Sequence, residues 1–176
     1  MISELETLIA KVAELDRKIS GMVRHGPVTD VDPKRQRFRM ETGRSADGTV
    51  AKSPWIPYGQ HAGALRIHAP PSVGQQMTAL SPSGDPQQAV GIPMTFSTAN
   101  ASPSQSSAEN VITFGGMRIE LKGDRLLISA GGVSVEISGN GLKVTGGKVE
   151  HDGKNIGRDH RHTGVEPGGG QTGEPA

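Results

Sequence analysis

Two histidines near the C-terminus are the residues whose type and spacing best suit chemistry. They lie in the segment Asp159-His160-Arg161-His162-Thr163. On a β-strand, residues i and i+2 point to the same side, so both imidazoles would converge. The chain has no cysteine, which leaves histidine and carboxylate as its strong metal ligands. His160 and His162 are therefore candidate metal ligands, and their surroundings decide between a metal site and two exposed side chains.

A threefold axis through that strand end would bring together six imidazoles from three chains. Six nitrogens give octahedral coordination, which suits iron or nickel better than zinc, since zinc prefers four ligands in a tetrahedron. A full shell leaves no open position for water or substrate and favours a structural metal over a Lewis-acid catalyst. The other histidines, His25, His61, His68 and His151, are isolated in the sequence. With no nucleophile motif or phosphate loop, we expect no catalysis.

Composition excludes several classes of function. Nineteen basic and eighteen acidic residues leave a net charge of +1 without a long basic run, so we expect no nucleic-acid partner. Three Phe, one Trp and one Tyr make a large monomeric core improbable, whereas 25 Gly and 12 Pro indicate many short elements. Charges at Glu4, Glu6 and Lys11 predict that the N-terminus is neither a signal peptide nor a membrane span, and that the protein is made soluble.

Residues 1–22 are predicted to form a coiled-coil helix. Spacings of three and four alternate along its apolar residues, which are Leu5, Leu8, Val12, Leu15, Ile19 and Met22. This is a heptad seam, with Leu5, Val12 and Ile19 at position a. Ile2 and Ile9 at position e widen the stripe, which suits three strands at least as well as two. A single amphipathic helix packed on its own domain is the alternative.

Residues 23–98 indicate a compact antiparallel β domain. We expect strands near residues 23–31, 36–42, 76–80 and 89–96. Four or five short strands fit a small barrel such as an OB-fold. Phe38, Trp55 and Tyr58 are scattered rather than clustered, which favours a structural barrel over a nucleic-acid or sugar-binding surface. Residues 99–110, rich in Ser, are predicted to be a flexible linker.

Apolar and polar residues alternate strictly from Glu109 to Asp152, between glycine turns about every eight residues. The element predicted from this pattern spans residues 111–156. The aliphatic members are Met117, Ile119, Leu121, Leu126, Ile128, Val133, Val135, Ile137, Leu142, Val144 and Val149. A repeat this short is typical of a β-solenoid. No helix or second sheet remains to cover the apolar face, so we predict an intertwined triple-stranded β-helix in a homotrimer. An ordinary antiparallel meander packed on the barrel is the alternative. Residues 157–176 would form a metal-binding apex.

The order of these elements resembles the baseplate assembly protein V family, the central membrane-piercing spikes of contractile-tailed phages and R-type bacteriocins. The resemblance covers nearly the whole chain. It is most specific at residues 71–85 (PSVGQQMTALSPSGD), 157–164 (GRDHRHTG) and 168–175 (GGGQTGEP). The heptad run at 1–22 is more regular than this family leads us to expect, so its role is open.

The resemblance implies a mainly β structural protein without enzymatic activity, located in the tail baseplate of the virion and assembled in the host cytoplasm. It implies that the OB-fold attaches the spike to the tail hub and baseplate. It also implies that His160 and His162 of three chains bind one iron ion, with zinc and nickel ranking behind iron. The needle would cross the host outer membrane when the sheath contracts.

Two other functions compete with the spike. A trimeric receptor-binding tail fibre or adhesin should carry an aromatic-rich face near its tip. Between residues 109 and 176, however, Phe114 is the only aromatic residue apart from histidine. A metal-dependent hydrolase would need a third ligand and a general base beside His160 and His162.

Overall fold

The computed structural model describes residues 2–158, 160, 161, 164 and 168. The chain consists of two compact units, and the boundary between them lies between Ser102 and Pro103, inside the segment predicted as a linker. The chain is mainly β with one N-terminal helix and an OB-like domain, which confirms the predicted fold class at that level.

The N-terminal helix, α1, spans Ile2–Met22. Its seam residues Leu5, Leu8, Val12, Leu15 and Ile19 are 57–65% exposed, so the seam is uncovered in a single chain. On another face, Lys18 Nζ lies 2.7 Å from Glu14 Oε1 one turn earlier, which supports the helix locally. Among the described residues, no helix combines the length and apolar character that crossing a membrane requires.

Six strands build the first unit after α1. They are β1 Val23–Asp32, β2 Arg37–Arg44, β3 Val50–Lys52, β4 Ile56–Pro57, β5 Gln76–Leu80 and β6 Val90–Pro93. The sheet order is β3-β2-β1-β5-β6, and β4 also pairs with β2. A 3₁₀-helix at Pro86–Gln88, capped by the Asp85 side chain, leads into β6. The sequence did not predict β3 and β4, which are only three and two residues long.

The sheet curls because β1 is shared between two neighbours. Its first half, Val23–Pro27, pairs with β5, whereas Val28 and the residues after it pair with β2 across a bulge. A parallel bridge between Tyr58 and Gly91 then brings the end of β4 against β6. The ring of Phe38 occupies the place where a side chain on residue 91 would begin, so Gly91 is required there. These contacts close the sheet into a small barrel.

The barrel has its own core. Phe38, Met40, Ile56, Met77 and Val28 are at most 2% exposed. Burying an aliphatic or aromatic side chain of this size contributes about 1.5–3 kcal/mol. The unit therefore contains the apolar cluster that an independently folded domain needs.

Seven strands build the second unit. They are β7 Glu109–Phe114, β8 Met117–Lys122, β9 Arg125–Ala130, β10 Val133–Ser138, β11 Gly141–Thr145, β12 Glu150–His151 and β13 Lys154–Asn155. The first five form an antiparallel meander in the order β11-β10-β9-β8-β7. β7 begins two residues inside the predicted linker. The winding of three chains into one β-helix concerns other copies and stays a prediction.

Glycine sets the eight-residue period of the meander. Six-residue strands alternate with two-residue turns, and Gly115, Gly123 and Gly131 open three of those turns with φ of 55°, 58° and 57°. Other residues rarely adopt such values. The last hairpin, between β12 and β13, turns on Asp152 and Gly153 with φ of 48° and 73°, the positive pair of a type I′ turn.

Candidate functional site

The meander carries an apolar face whose residues align across the strands. Ile112, Ile119, Ile128, Val135 and Val144 are direct partners from β7 to β11, so one residue per strand forms a straight row. Directly opposed side chains on one face of a sheet lie within contact distance. The alternation that predicted each strand therefore also puts the strands in register.

Two further rows flank the central one. They consist of Phe114, Met117, Ala130 and Val133 on one side, and of Leu121, Leu126, Ile137 and Leu142 on the other. Large side chains in all three rows are open to solvent, with Phe114 at 88%, Leu142 at 68% and Ile112 at 63% exposure. A contiguous apolar surface of this kind marks a binding interface.

The opposite face of the same sheet holds a network of ion pairs. Arg118 Nη2 lies 3.0 Å from Glu120 Oε2 and 3.6 Å from Glu109 Oε1. Arg125 contacts Glu120 and also Glu136, the latter at 3.5 Å. Glu120 is 8% exposed, so both guanidinium groups compensate a carboxylate that is largely out of water. Networks of this type stabilise more than isolated surface pairs do.

Glu109 joins the network to the segment that precedes the sheet. Ser104 Oγ donates a hydrogen bond to Glu109 Oε1, and this bond, followed by the charges of Lys122 and Arg118, holds the pKa of Glu109 below its ordinary value. Arg118 Nη1 also donates to Pro103 O at 3.1 Å. The residues before β7 are thus fastened across the charged face, which leaves the apolar face uncovered.

His160 lies beyond the last hairpin, in the predicted apex. Its side chain is exposed, and Nδ1 lies 2.6 Å from Gly157 O. A carbonyl oxygen only accepts hydrogen bonds, so Nδ1 carries the proton and Nε2 holds the lone pair of the neutral ring. His162, the second predicted ligand, lies outside the described residues, as do Asp159 and most of the segment from 165 to 176.

The contact between His160 and Gly157 is of a kind that metal-binding histidines make. A histidine that binds a metal through one nitrogen commonly donates its other N–H to a carbonyl, and His160 holds that arrangement with Gly157. Within the part of one chain that the structure describes, no three His, Asp or Glu side chains gather as a metal shell. Further ligands would come from residues outside the described part of the chain, His162 among them, or from other copies.

The remaining histidines lie on other elements of the chain. His25 Nδ1 is 2.9 Å from Thr78 Oγ1 on the barrel, and His61 and His68 line a shallow pocket beside Arg66. His151 is exposed on β12 and lies 3.7 Å from Asp152. Sequence reasoning missed the charged network, although period-two alternation already places Arg118, Glu120 and Lys122 on one side of β8.

The fold defines the class of protein to which this chain is compared: a mainly β chain in which a helix and an OB-like barrel precede an antiparallel sheet and a histidine-bearing end. Residues 24–96 match the family model of the Type VI secretion system/phage-baseplate injector OB domain. Residues 158–176 match that of the GpV apex motif.

A relative is similar over part of the chain. The chain is 32% identical over 100 residues, 56% of its length, to the spike protein of Escherichia phage P2. The match spans 44% of that protein, less than half of its length. Together with the two family models, this similarity confirms the resemblance of the chain to the phage baseplate assembly protein V family.

Proposed function

We propose that this protein is the central spike at the tip of a contractile phage tail, where it joins the baseplate hub and punctures the host outer membrane during injection. The observation that carries the proposal is the apolar face of β7–β11. Three aligned rows of apolar side chains lie there, most of them exposed, while the reverse face is charged and internally paired. The apolar face suits the interior of an assembly, and the charged face suits contact with solvent.

Three copies of the sheet would cover one another's apolar faces in an intertwined triple-stranded β-helix. Full burial of a Leu, Ile or Phe side chain is worth about 1.5–3 kcal/mol, so half-exposed residues in three rows supply a large driving force. The paired charges of Arg118, Glu120 and Arg125 would then form the outer surface. A closed structure of this kind also leaves no long unpaired sheet edge.

The apex would be fastened by a metal. His160 and His162 of three copies supply six imidazole nitrogens, a donor set that suits octahedral iron, with nickel and zinc behind it. The ion would join three chain ends and act as a structural crosslink. The chain's own part is to aim the ring, which the hydrogen bond from His160 Nδ1 to Gly157 O does.

The first test is mass and metal content together. Light scattering of the untagged protein should give three chain masses, and elemental analysis should give one iron ion per three chains. His160→Ala should remove the stoichiometric metal and leave the trimer, because the apolar rows hold the shaft. Arg161→Ala is the matched control and should keep both. A monomer would overturn the shaft, and one ion per chain would overturn the shared site.

The second test concerns penetration. Phage particles assembled with His160→Ala/His162→Ala should adsorb and contract but permeabilise cells less often than particles with Arg161→Ala. Loss of adsorption would favour a receptor-binding fibre or adhesin instead. We also propose that the spike acts without turnover, so purified protein should release no product from peptidoglycan or lipopolysaccharide, and measurable release would overturn that part.

A further inference from the structure

The heptad seam of α1 is a second apolar surface that the proposed shaft does not use. Five seam residues from Leu5 to Ile19 are each more than half exposed, and Ile9 beside them is 58% exposed. The stripe runs nearly the length of a 21-residue helix. A soluble protein rarely leaves such a stripe without a partner.

The way α1 attaches to the barrel keeps the seam accessible. Met22 O accepts a hydrogen bond of 2.8 Å from Ser81 N, and the backbone at Gly21 touches the backbone at Gly84. A side chain on either glycine would collide, at Gly21 with the carbonyl of Gly84 and at Gly84 with that of Lys18. In the heptad frame, position 21 is c, on the side of the helix away from the seam, whereas position 18 is g, which borders position d of the seam.

The remaining contact confirms which side faces the barrel. A groove of about 400 Å³ separates α1 from the barrel, and its helix wall is formed by Arg17, Lys18 and Gly21, at positions f, g and c. None of the seam residues lines this groove. The barrel therefore covers the polar side of α1 and leaves the apolar side for another molecule.

We propose that the seam is covered by the same seam of two other copies of this chain, in a parallel, in-register bundle of three helices. This inference rests on the homotrimer proposed above and adds a second interface to it. In a parallel bundle each g residue faces the e residue five places later on the neighbouring helix. Lys11 at g then faces Asp16 at e, and opposite charges meet three times around the bundle.

The charges favour this direction and register. Within the described part of one chain, neither Lys11 nor Asp16 forms an ion pair, whereas Lys18 already pairs with Glu14. Antiparallel helices would set e against e and g against g instead, so the complementarity would be lost. Ile9 at e widens the buried stripe, which a three-helix bundle covers more fully than a pair does.

The bundle is too short to assemble alone. Helices of fewer than three or four heptads are marginal in water, so α1 needs its copies to be held close together. Trimerisation through β7–β11 of the same chains would supply that high effective concentration. We therefore expect the bundle to form only in the full-length trimer, with α1 acting as a clasp at the N-terminal end of the chain.

Cysteine crosslinking of the full chain tests the clasp without background, because the natural sequence has no cysteine. Leu5→Cys places a thiol at position a near the helix start, where copies meet only if the helices are parallel. Mild oxidation should link most of the protein into disulfide-bonded dimers. In each trimer, two of the three chains can be joined in this way. Ala10→Cys is the matched control at exposed position f and should give at least fivefold less disulfide-linked dimer.

Light scattering of the same samples separates the two proposals. A trimer that crosslinks at residue 5 and not at residue 10 supports the clasp. A trimer with equally low yields at both positions overturns the clasp and leaves the spike proposal intact, and another protein would then cover the seam. A monomer overturns the spike proposal and the clasp together.

Charge reversal tests the register. Lys11→Glu should slow crosslinking of Leu5→Cys several-fold, because three carboxylate pairs would face one another. Adding Asp16→Lys should restore the rate by reversing both partners. If the single reversal leaves the rate unchanged, or if the double variant fails to restore it, the Lys11–Asp16 pairing is overturned.

Discussion

The barrel and the meander are both antiparallel β structures with few aromatic residues, yet only the barrel encloses its own apolar side chains. Phe38 and Met40 in the barrel are fully buried, whereas Ile112 and Phe114 in the meander are 63% and 88% exposed. The difference arises from strand pairing. β1 bends between two partners and a bridge at Gly91 closes the sheet, while β7–β11 keep one constant register and do not turn back.

The comparison teaches that a small number of apolar residues can serve two purposes. A sheet that closes on itself becomes a domain, and a sheet that stays open becomes part of an interface. The two cases predict different responses to mutation, because damage to the barrel stays within one chain and damage to the meander affects every copy.

The largest expected effect is that of Val135→Asp. Val135 lies in the central row, so three copies would bury three carboxylates against one another, at a cost on the order of several kcal/mol for each unpaired charge. The trimer should fail to assemble, which light scattering would detect. Ser134→Asp is the matched control on the charged face and should assemble normally. An unchanged trimer with Val135→Asp would mean that this row faces water.

Met40→Ala should damage the barrel alone. Truncating a fully buried side chain typically costs about 2–5 kcal/mol. Trp55, the only tryptophan, lies in the barrel unit with the Arg39 guanidinium 4.9 Å from its ring, so its fluorescence reports unfolding of that unit. Met94→Ala, at a side chain that is 48% exposed, is the control and should shift the urea midpoint little. Loss of the trimer with Met40→Ala would contradict the independence of the two units.

Protein concentration should separate the two units further. A trimer dissociates when it unfolds, so its denaturation midpoint rises with protein concentration, whereas the midpoint of a monomeric domain does not. Far-ultraviolet circular dichroism should reveal a concentration-dependent transition from the meander. The denaturation midpoint that Trp55 fluorescence reports should be the same at low and at high protein concentration. A midpoint that follows concentration equally in both signals would indicate that the barrel unfolds together with the shaft.

The smallest expected effect is that of acid on the charged face. The pKa of Glu109 is lower in the folded sheet than its ordinary value of 4.5. The charged carboxylate therefore stabilises the folded sheet at any pH above 4.5. That stabilisation is lost as pH falls below this value and through the lower folded pKa. The melting temperature of Glu109→Gln should therefore fall less between pH 6 and pH 3 than that of the natural protein. A steeper fall in the variant would contradict the assignment.

Sequence patterns predicted the strands that have one apolar and one polar face. β8, β9 and β10 follow from alternation between glycine turns, because each side chain in them has a single assigned face. β3 and β4 escaped prediction since they are two or three residues long and are held by pairing with β2 rather than by periodicity. Local patterns carry no information about such long-range pairing.

The candidate site was predictable to a similar degree. The spacing of His160 and His162 indicated a ligand pair, but it could not indicate that Gly157 orients the His160 ring, since that depends on a turn. The contacts of Arg118 and Arg125 with Glu120 depend on the register between β8 and β9. Turn lengths set that register, so charge spacing within one strand could not reveal it.

The strands of the second unit shorten toward the C-terminus, from six residues in β10 to five in β11 and two in β12. At about 3.3 Å per residue, these lengths correspond to roughly 20 Å and 7 Å. If the strands lie across the shaft, the cross-sectional area falls about ninefold from β10 to β12, as the square of the strand length. A given axial force would then act with about ninefold greater pressure at the narrow end. The spacing of glycines along the chain would thus set how sharply the load is concentrated on the surface that it meets.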